Sequence, residues 1–296
     1  MNVQFKIALL LLFAMLNKES FSQTEKKTLI SKKNSAMKVS QTKTIVFITG
    51  AFVTNNCWDE WIPYFESKGY KCIAPPWPYK DSTAEILRQG NSDKNIASNN
   101  LSGLTEYYAN IIRQQPERPI VVGHSMGGLI VQLLLQRDLA AAGVAIHPVP
   151  PKGVISTKFS FVKAAWGPLG FFTSRHKPFM MSFKQWQYAF TNGMSLNDQQ
   201  NSYQRFCTPE SKMVSRNTLS KAAKIDFKKG HEPLLITSGS IDRVIPASLN
   251  KTNFKKYKNN NSITGYKEFE GRNHFVLGQP TWKEDAVYIL GWLNSY

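Results

Sequence analysis

Pro119-Ile120-Val121-Val122-Gly123-His124-Ser125-Met126-Gly127-Gly128-Leu129-Ile130-Val131-Gln132-Leu133-Leu134-Leu135 decides how the rest of the chain is read. Ile120 to Val122 is a short β-branched run of the kind that forms a buried strand, and the apolar residues after Ser125 continue at helical length. Gly123-His124-Ser125-Met126-Gly127 therefore falls at a strand-to-helix junction. In that context Gly-x-Ser-x-Gly is a nucleophile elbow: the serine is held in a strained turn that only glycine neighbours leave room for. Its hydroxyl stands above the sheet, and the N–H groups at the start of the helix point at the same spot. Ser125 is the candidate nucleophile.

A serine hydroxyl is a weak nucleophile near neutral pH and needs a base within hydrogen-bond reach, itself oriented by an acid. The elbow arrangement supplies these in the chain order serine, acid, histidine, each on a loop after a later strand. Asp242 lies in Gly239-Ser-Ile-Asp-Arg-Val-Ile-Pro246, directly after the strand pattern Leu234 to Ser238. His274 lies in Glu270-Gly-Arg-Asn-His-Phe275, after the pattern that ends at Phe269. These are the expected acid and base. A tetrahedral oxyanion needs two N–H donors. The backbone N–H of Met126 is the first, and the turn Gly50-Ala51-Phe52 after the first strand supplies the second, Ala51 ahead of Phe52. Phe52 and His147, at their strand ends, are expected to line the substrate pocket. His124 points away from its neighbour Ser125 and is read as structural, His176 and His231 as surface or inserted residues. The five histidines show no metal-ligand spacing, so neither a metal nor a cofactor is expected. Asp226 and Asp285 are off-pattern for the acid.

Outward from the elbow, strand and helix patterns alternate. Strands are predicted over Thr44–Thr49, Tyr70–Ala74, Ala142–His147, Glu232–Ser238 and Ser262–Phe269. Helices are predicted over Trp58–Ser67, Leu101–Gln115, Ala247–Tyr257 and Trp282–Asn294, and Asp81–Asn100 reads as a polar surface stretch. This is an α/β pattern: a mostly parallel sheet of about six strands with helices on both faces. Residues 44–148 and 231–296 form that core. Residues 149–230 break the alternation, with ten aromatics between Phe159 and Phe190. They read as a lid inserted over the edge of the sheet where such folds bind ligands.

The first 43 residues stand apart. Lys6 precedes the apolar run Ile7–Leu16, too short to span a bilayer, and Ser20-Phe21-Ser22 supplies small residues before Gln23. Residues 1–22 thus read as a secretory signal peptide and 23–43, with six lysines against one glutamate, as a flexible basic arm. Export to the periplasm or the outside follows, with no transmembrane segment. The chain of 296 residues carries a net charge of +17, which is read mostly as a solvated basic surface. Three cysteines do not make a disulfide framework. A Cys57–Cys72 bridge is open, against Cys72 as a small apolar residue of a buried strand.

The elbow Gly-His-Ser-Met-Gly-Gly, the Ser-Ile-Asp-Arg-Val-Ile-Pro loop and the Gly-Arg-Asn-His-Phe loop together resemble the α/β-hydrolase fold family, in its serine esterase/lipase and non-heme haloperoxidase-like group. The resemblance covers about Thr44 to Tyr296. Relatives usually carry His-Gly where this chain has Thr49-Gly50. That histidine braces the loop, so its replacement bears on loop geometry more than on activity. Serine at position 125 argues against the aspartate-nucleophile dehalogenases and epoxide hydrolases. The resemblance implies an exported serine hydrolase acting on a small-molecule carboxylic ester with an apolar acyl or aryl part. Peptidase or amidase, thioesterase and cofactor-free perhydrolase chemistry could use the same residues. The rival of another class is a non-catalytic protein that binds an anionic envelope polymer. No nucleic-acid motif is present, and nucleic acid is not an expected partner. The sequence leaves the oligomeric state open.

Overall fold

A computed structural model describes residues 42–90, 93–156, 158–257 and 260–296. The signal-peptide and basic-arm readings fall, but for Thr42 and Lys43, outside the described residues. In chain order the elements are β1 (Thr44–Ile48), α1 (Trp61–Glu66), β2 (Lys71–Ile73), α2 (Ala84–Arg88), α3 (Asp93–Ser98), α4 (Leu101–Arg113), β3 (Ile120–His124), α5 (Met126–Leu135) and β4 (Ala142–Ile146). The excursion after β4 holds α6 (Phe159–Leu169), α7 (Phe183–Ala189), α8 (Leu196–Phe206) and α9 (Lys212–Asn217). Then come β5 (Leu234–Gly239), α10 (Ala247–Lys256), β6 (Thr264–Phe269) and α11 (Trp282–Leu293).

The six strands form one sheet in the order β2-β1-β3-β4-β5-β6, and every neighbouring pair is parallel. β1, β3 and β4 are buried along their whole length, because helices cover both faces of the sheet. α5 lies across β1, β3 and β4 with α4 beside it. All ten of its residues are buried. Its one polar residue, Gln132, is satisfied inside the core by Asn253 at 2.9 Å and Tyr257 at 3.0 Å, which also ties α10 to the same face. On the other face α1 meets α11, with Trp61 against Trp282 at 5.8 Å. Asn100 caps α4 through the Gly103 N–H.

Asp81–Asn100 departs from expectation. It folds into α2 and α3, capped at Thr83 and held by buried Ala84, Leu87, Ile96 and Ala97. Five apolar residues, four of them buried, spread over two short helices give too little periodicity to see in sequence. All three cysteines are free. Cys57 is fully enclosed, whereas Cys72 is only half-buried because β2 is the edge strand.

Parallel strands all end at the same side of the sheet. The turns after β1, β3, β4, β5 and β6 therefore bring Ala51, Ser125, His147, Asp242 and the loop of His274 to one edge, although they span most of the chain.

Candidate active site

Ser125 has φ 55° and ψ −114°, a conformation L-residues adopt only when the surroundings impose it. Its N–H donates to the Ile146 carbonyl at 2.9 Å, and its own carbonyl accepts from Gly128, Leu129 and Val149. A Cβ at Gly123 would run into the backbone of Gly127, and a Cβ at Gly127 would strike the carbonyl of Ile48. The two glycines of the motif are thus required by β1 and α5 crossing the elbow closely.

The Ser125 hydroxyl donates to His274 Nε2 at 2.9 Å, and His274 Nδ1–H donates to Asp242 Oδ2 at 2.8 Å. The other carboxylate oxygen accepts the N–H groups of Val244 at 2.8 Å and Ile245 at 2.7 Å. Burial alone would raise the Asp242 carboxyl. The charge of His274 beside it and the hydrogen bonds from His147 and His274 outweigh that and hold it well below the usual carboxylate range. Asp242 is therefore an ionised acceptor that fixes His274 with Nε2 free to take a proton. Phe190 stands edge-on to the imidazole at 4.9 Å.

His147 does not line the cavity, contrary to the expectation from sequence. It is fully buried, with φ 44°, and Nδ1–H donates to Asp242 Oδ2 at 3.1 Å. Its position just past β4 turns the ring under the acid rather than toward solvent. His124 Nε2–H donates to the His274 carbonyl at 2.8 Å, a structural contact. Burial, then the charges of His274 and His147, push its pKa well below the ordinary histidine value. His147, Asp242 and His274 also form a grouping of metal-ligand type, their ligand atoms within 4.8 Å of one another. Asp242, His147 Nδ1 and His274 Nδ1 are already spent on hydrogen bonds among themselves.

Met126 is the first residue of α5, so its N–H has no acceptor within the helix. Ala51, Phe52, Ser125, Met126 and His274 share the wall of a cavity of about 120 Å³. Its remaining lining is apolar but for Ser215 and Thr218, and comes largely from the excursion between β4 and β5, including Phe161, Pro168, Leu169, Met181 and Leu219. The Phe52 N–H is already engaged by Glu210 Oε2 at 3.3 Å, which leaves Ala51 as the loop's candidate donor.

That contact brings in two residues that lie in no motif. Lys80 and Glu210 form an ion pair of 2.8 Å with both side chains buried. Glu210 Oε1 accepts the Ser211 N–H at 2.9 Å, and Thr208 N–H donates to the Phe52 carbonyl at 2.9 Å. Val53 pairs with Cys207 in an antiparallel bridge. Trp77 Nε1–H donates to the Thr49 carbonyl at 3.1 Å. The Gly50-Ala51-Phe52 turn is thus held by Trp77, Lys80 and Glu210, with threonine at 49. One signal was available: Glu210 is the sole acid between Asp198 and Asp226 in a basic stretch, and such a residue calls for a partner.

The sequence profile described as the alpha/beta hydrolase family matches residues 45–283. The chain belongs to the alpha/beta hydrolase family. Solved structures similar to this hydrolase include a methylesterase from Arabidopsis, at 15% identity over 86% of this chain and 99% of that one, with a TM-score of 0.60. A pyrethroid hydrolase from Sphingobium faniae shares 17% identity over 86% and 98%, with a TM-score of 0.59. A monoacylglycerol lipase from Paleococcus ferrophilus shares 20% over 85% and 94%, with a TM-score of 0.56. No curated protein matches the hydrolase in sequence. At these identities the likeness is one of fold. No helix among the described residues is long and apolar enough to cross a membrane.

Proposed function

We propose that this hydrolase is an exported serine esterase acting on a carboxylic ester whose acyl or aryl part is apolar. The observation that carries the proposal is the chain of contacts from Ser125 Oγ to His274 Nε2 and from His274 Nδ1 to Asp242, opening on an apolar cavity. Ser125 Oγ attacks the ester carbonyl while His274 Nε2 takes its proton, and Asp242 stabilises the imidazolium. The Met126 and Ala51 N–H groups hold the oxyanion. His274 then returns the proton to the departing alcohol. Water, deprotonated by the same imidazole, releases the acid and frees Ser125.

Residues 149–230 act as the cap that selects the substrate, because Phe161, Pro168, Leu169, Met181 and Leu219 supply much of the wall facing Ser125. Residues 1–22 direct export and 23–43 form the connecting arm. The reading is tested with a series of p-nitrophenyl esters of increasing acyl length. A cavity of this size gives an optimum at short to medium chains and falling kcat/KM beyond it. Equal rates at every length would remove the proposed pocket, and no turnover of any ester would remove the esterase.

A further inference from the structure

Leu139 to Asn197 contains no aspartate or glutamate, but six lysines and arginines. α6 lies in this stretch and is apolar on two sides. Phe161, Ala164, Ala165, Pro168 and Leu169 face the cavity, whereas Phe159 is 76% exposed and Trp166 63% exposed. The loop after the helix continues the outer face with Phe172, 89% exposed and in ring contact with Trp166 at 6.4 Å. Exposed aromatics clustered in this way are uncommon on a monomer and mark a contact surface. Lys158, Lys163, Arg175 and Lys177 are exposed around them, and Lys163 lies over the Tyr188 ring at 4.0 Å. α7, which packs against α6, adds the exposed Lys184 and no acid. On α9 Lys212 is buried with Nζ donating to the Ser174 carbonyl, and Arg216 donates to the carbonyls of Leu169, Gly170 and Thr173, so these two brace the loop from within. Leu219 both lines the cavity and is largely exposed, so the cavity opens beside this face.

We propose that the outer face of α6 and the loop that follows it dock the protein on an anionic lipid bilayer, with the cavity mouth turned toward the membrane. Tryptophan and phenylalanine enter the boundary between headgroups and acyl chains, and the ring of lysines and arginines meets the lipid phosphates. A protein partner would need its own apolar patch rimmed by acids. A bilayer surface offers both features together, and it is the phase in which an apolar ester accumulates.

The test is partitioning, which stands whether or not Ser125 turns over an ester. The full chain is sedimented with vesicles of phosphatidylcholine, with and without phosphatidylglycerol. Binding to the anionic vesicles is expected, with a blue shift of tryptophan emission that W166F loses while still sedimenting. W166Q/F172Q keeps every charge and alters only exposed side chains, so its melting midpoint should hold while its affinity falls at least about tenfold. K158E and K163E should each weaken binding by about fivefold or more. The proposal is overturned if the protein does not sediment with anionic vesicles. It is equally overturned if W166Q/F172Q binds undiminished, since charge alone, as from the arm, then carries binding. A dimer in solution that W166Q/F172Q abolishes, without vesicle binding, would assign the face to a second copy instead.

Discussion

Removing either partner of the Lys80–Glu210 pair should damage the protein in two separable ways. The ammonium and carboxylate meet at 2.8 Å with relative exposures of 2% and 0%, so Lys80→Met or Glu210→Leu leaves an uncompensated charge in the interior. Such a break costs about 3–5 kcal/mol. For a chain of this size that is a fall in melting midpoint of roughly 6–20 °C, at about 2–4 °C per kcal/mol. The double variant K80M/E210L removes both charges and should regain at least about half of that loss, because an apolar replacement of a buried pair is often neutral. Activity should not return with stability. Glu210 also holds the Phe52 N–H at 3.3 Å, and without it the peptide next to Ala51 loses an anchor. A misplaced oxyanion donor lowers kcat by about 10²–10³, with KM little changed. Denaturant unfolding and steady-state ester hydrolysis on wild type, both singles and the double decide the matter. A double variant with wild-type kcat would refute the positioning role, and single variants within about 1 kcal/mol of wild type would refute the buried-pair reasoning.

Other expectations follow from the same contacts. His124 stays neutral in the folded protein, whereas in the unfolded chain it titrates near 6.5. Below that pH the unfolded state binds a proton that the folded state does not, so stability falls as pH drops, by about 1.4 kcal/mol per unit for this group. H124Q should remove one proton's worth of that slope between about pH 6 and 5, and an unchanged slope would contradict the assignment. Asp242 has the opposite partner chemistry: its depressed pKa adds stability above about pH 4 that is lost only as pH falls through the lower folded value. D242A should lower kcat by roughly 10⁴. H147A leaves the Val244, Ile245 and His274 donors on the carboxylate and should cost no more than about tenfold, one hydrogen bond's worth. Equal losses in the two variants would show that His147 does more than support Asp242. G127A forces a Cβ into the Ile48 carbonyl, and unfolding should show a loss near the upper end of the overpacking range, about 3 kcal/mol.

What could be read from the sequence was local in the chain. The elbow announces itself because strand, glycine, serine and helix are consecutive, and Asp242 and His274 follow because each sits just past a strand that its own composition declares. Lys80 and Glu210 are 130 residues apart, and neither lies in a motif, so only the folded chain joins them. His147 differs from its sequence expectation for a related reason. A strand-end histidine faces the site edge in either case, and the positive φ that turns it beneath Asp242 rather than into the cavity leaves no mark in composition. α2 and α3 were missed because helices of five and six residues present too few turns for a period to register. The cavity wall was the least legible part. It is assembled from α6, from α9 and its following turn, and from the loop after β5, so its shape depends on packing between segments that carry no shared pattern.

The central claim is that Ser125 is an activated nucleophile, and a fluorophosphonate probe tests it without any assumption about substrate. Covalent labelling mapped by mass spectrometry to Ser125, and abolished in both S125A and H274A, is the expected result. A folded protein that takes no label, or that is labelled equally well in S125A, would contradict the account.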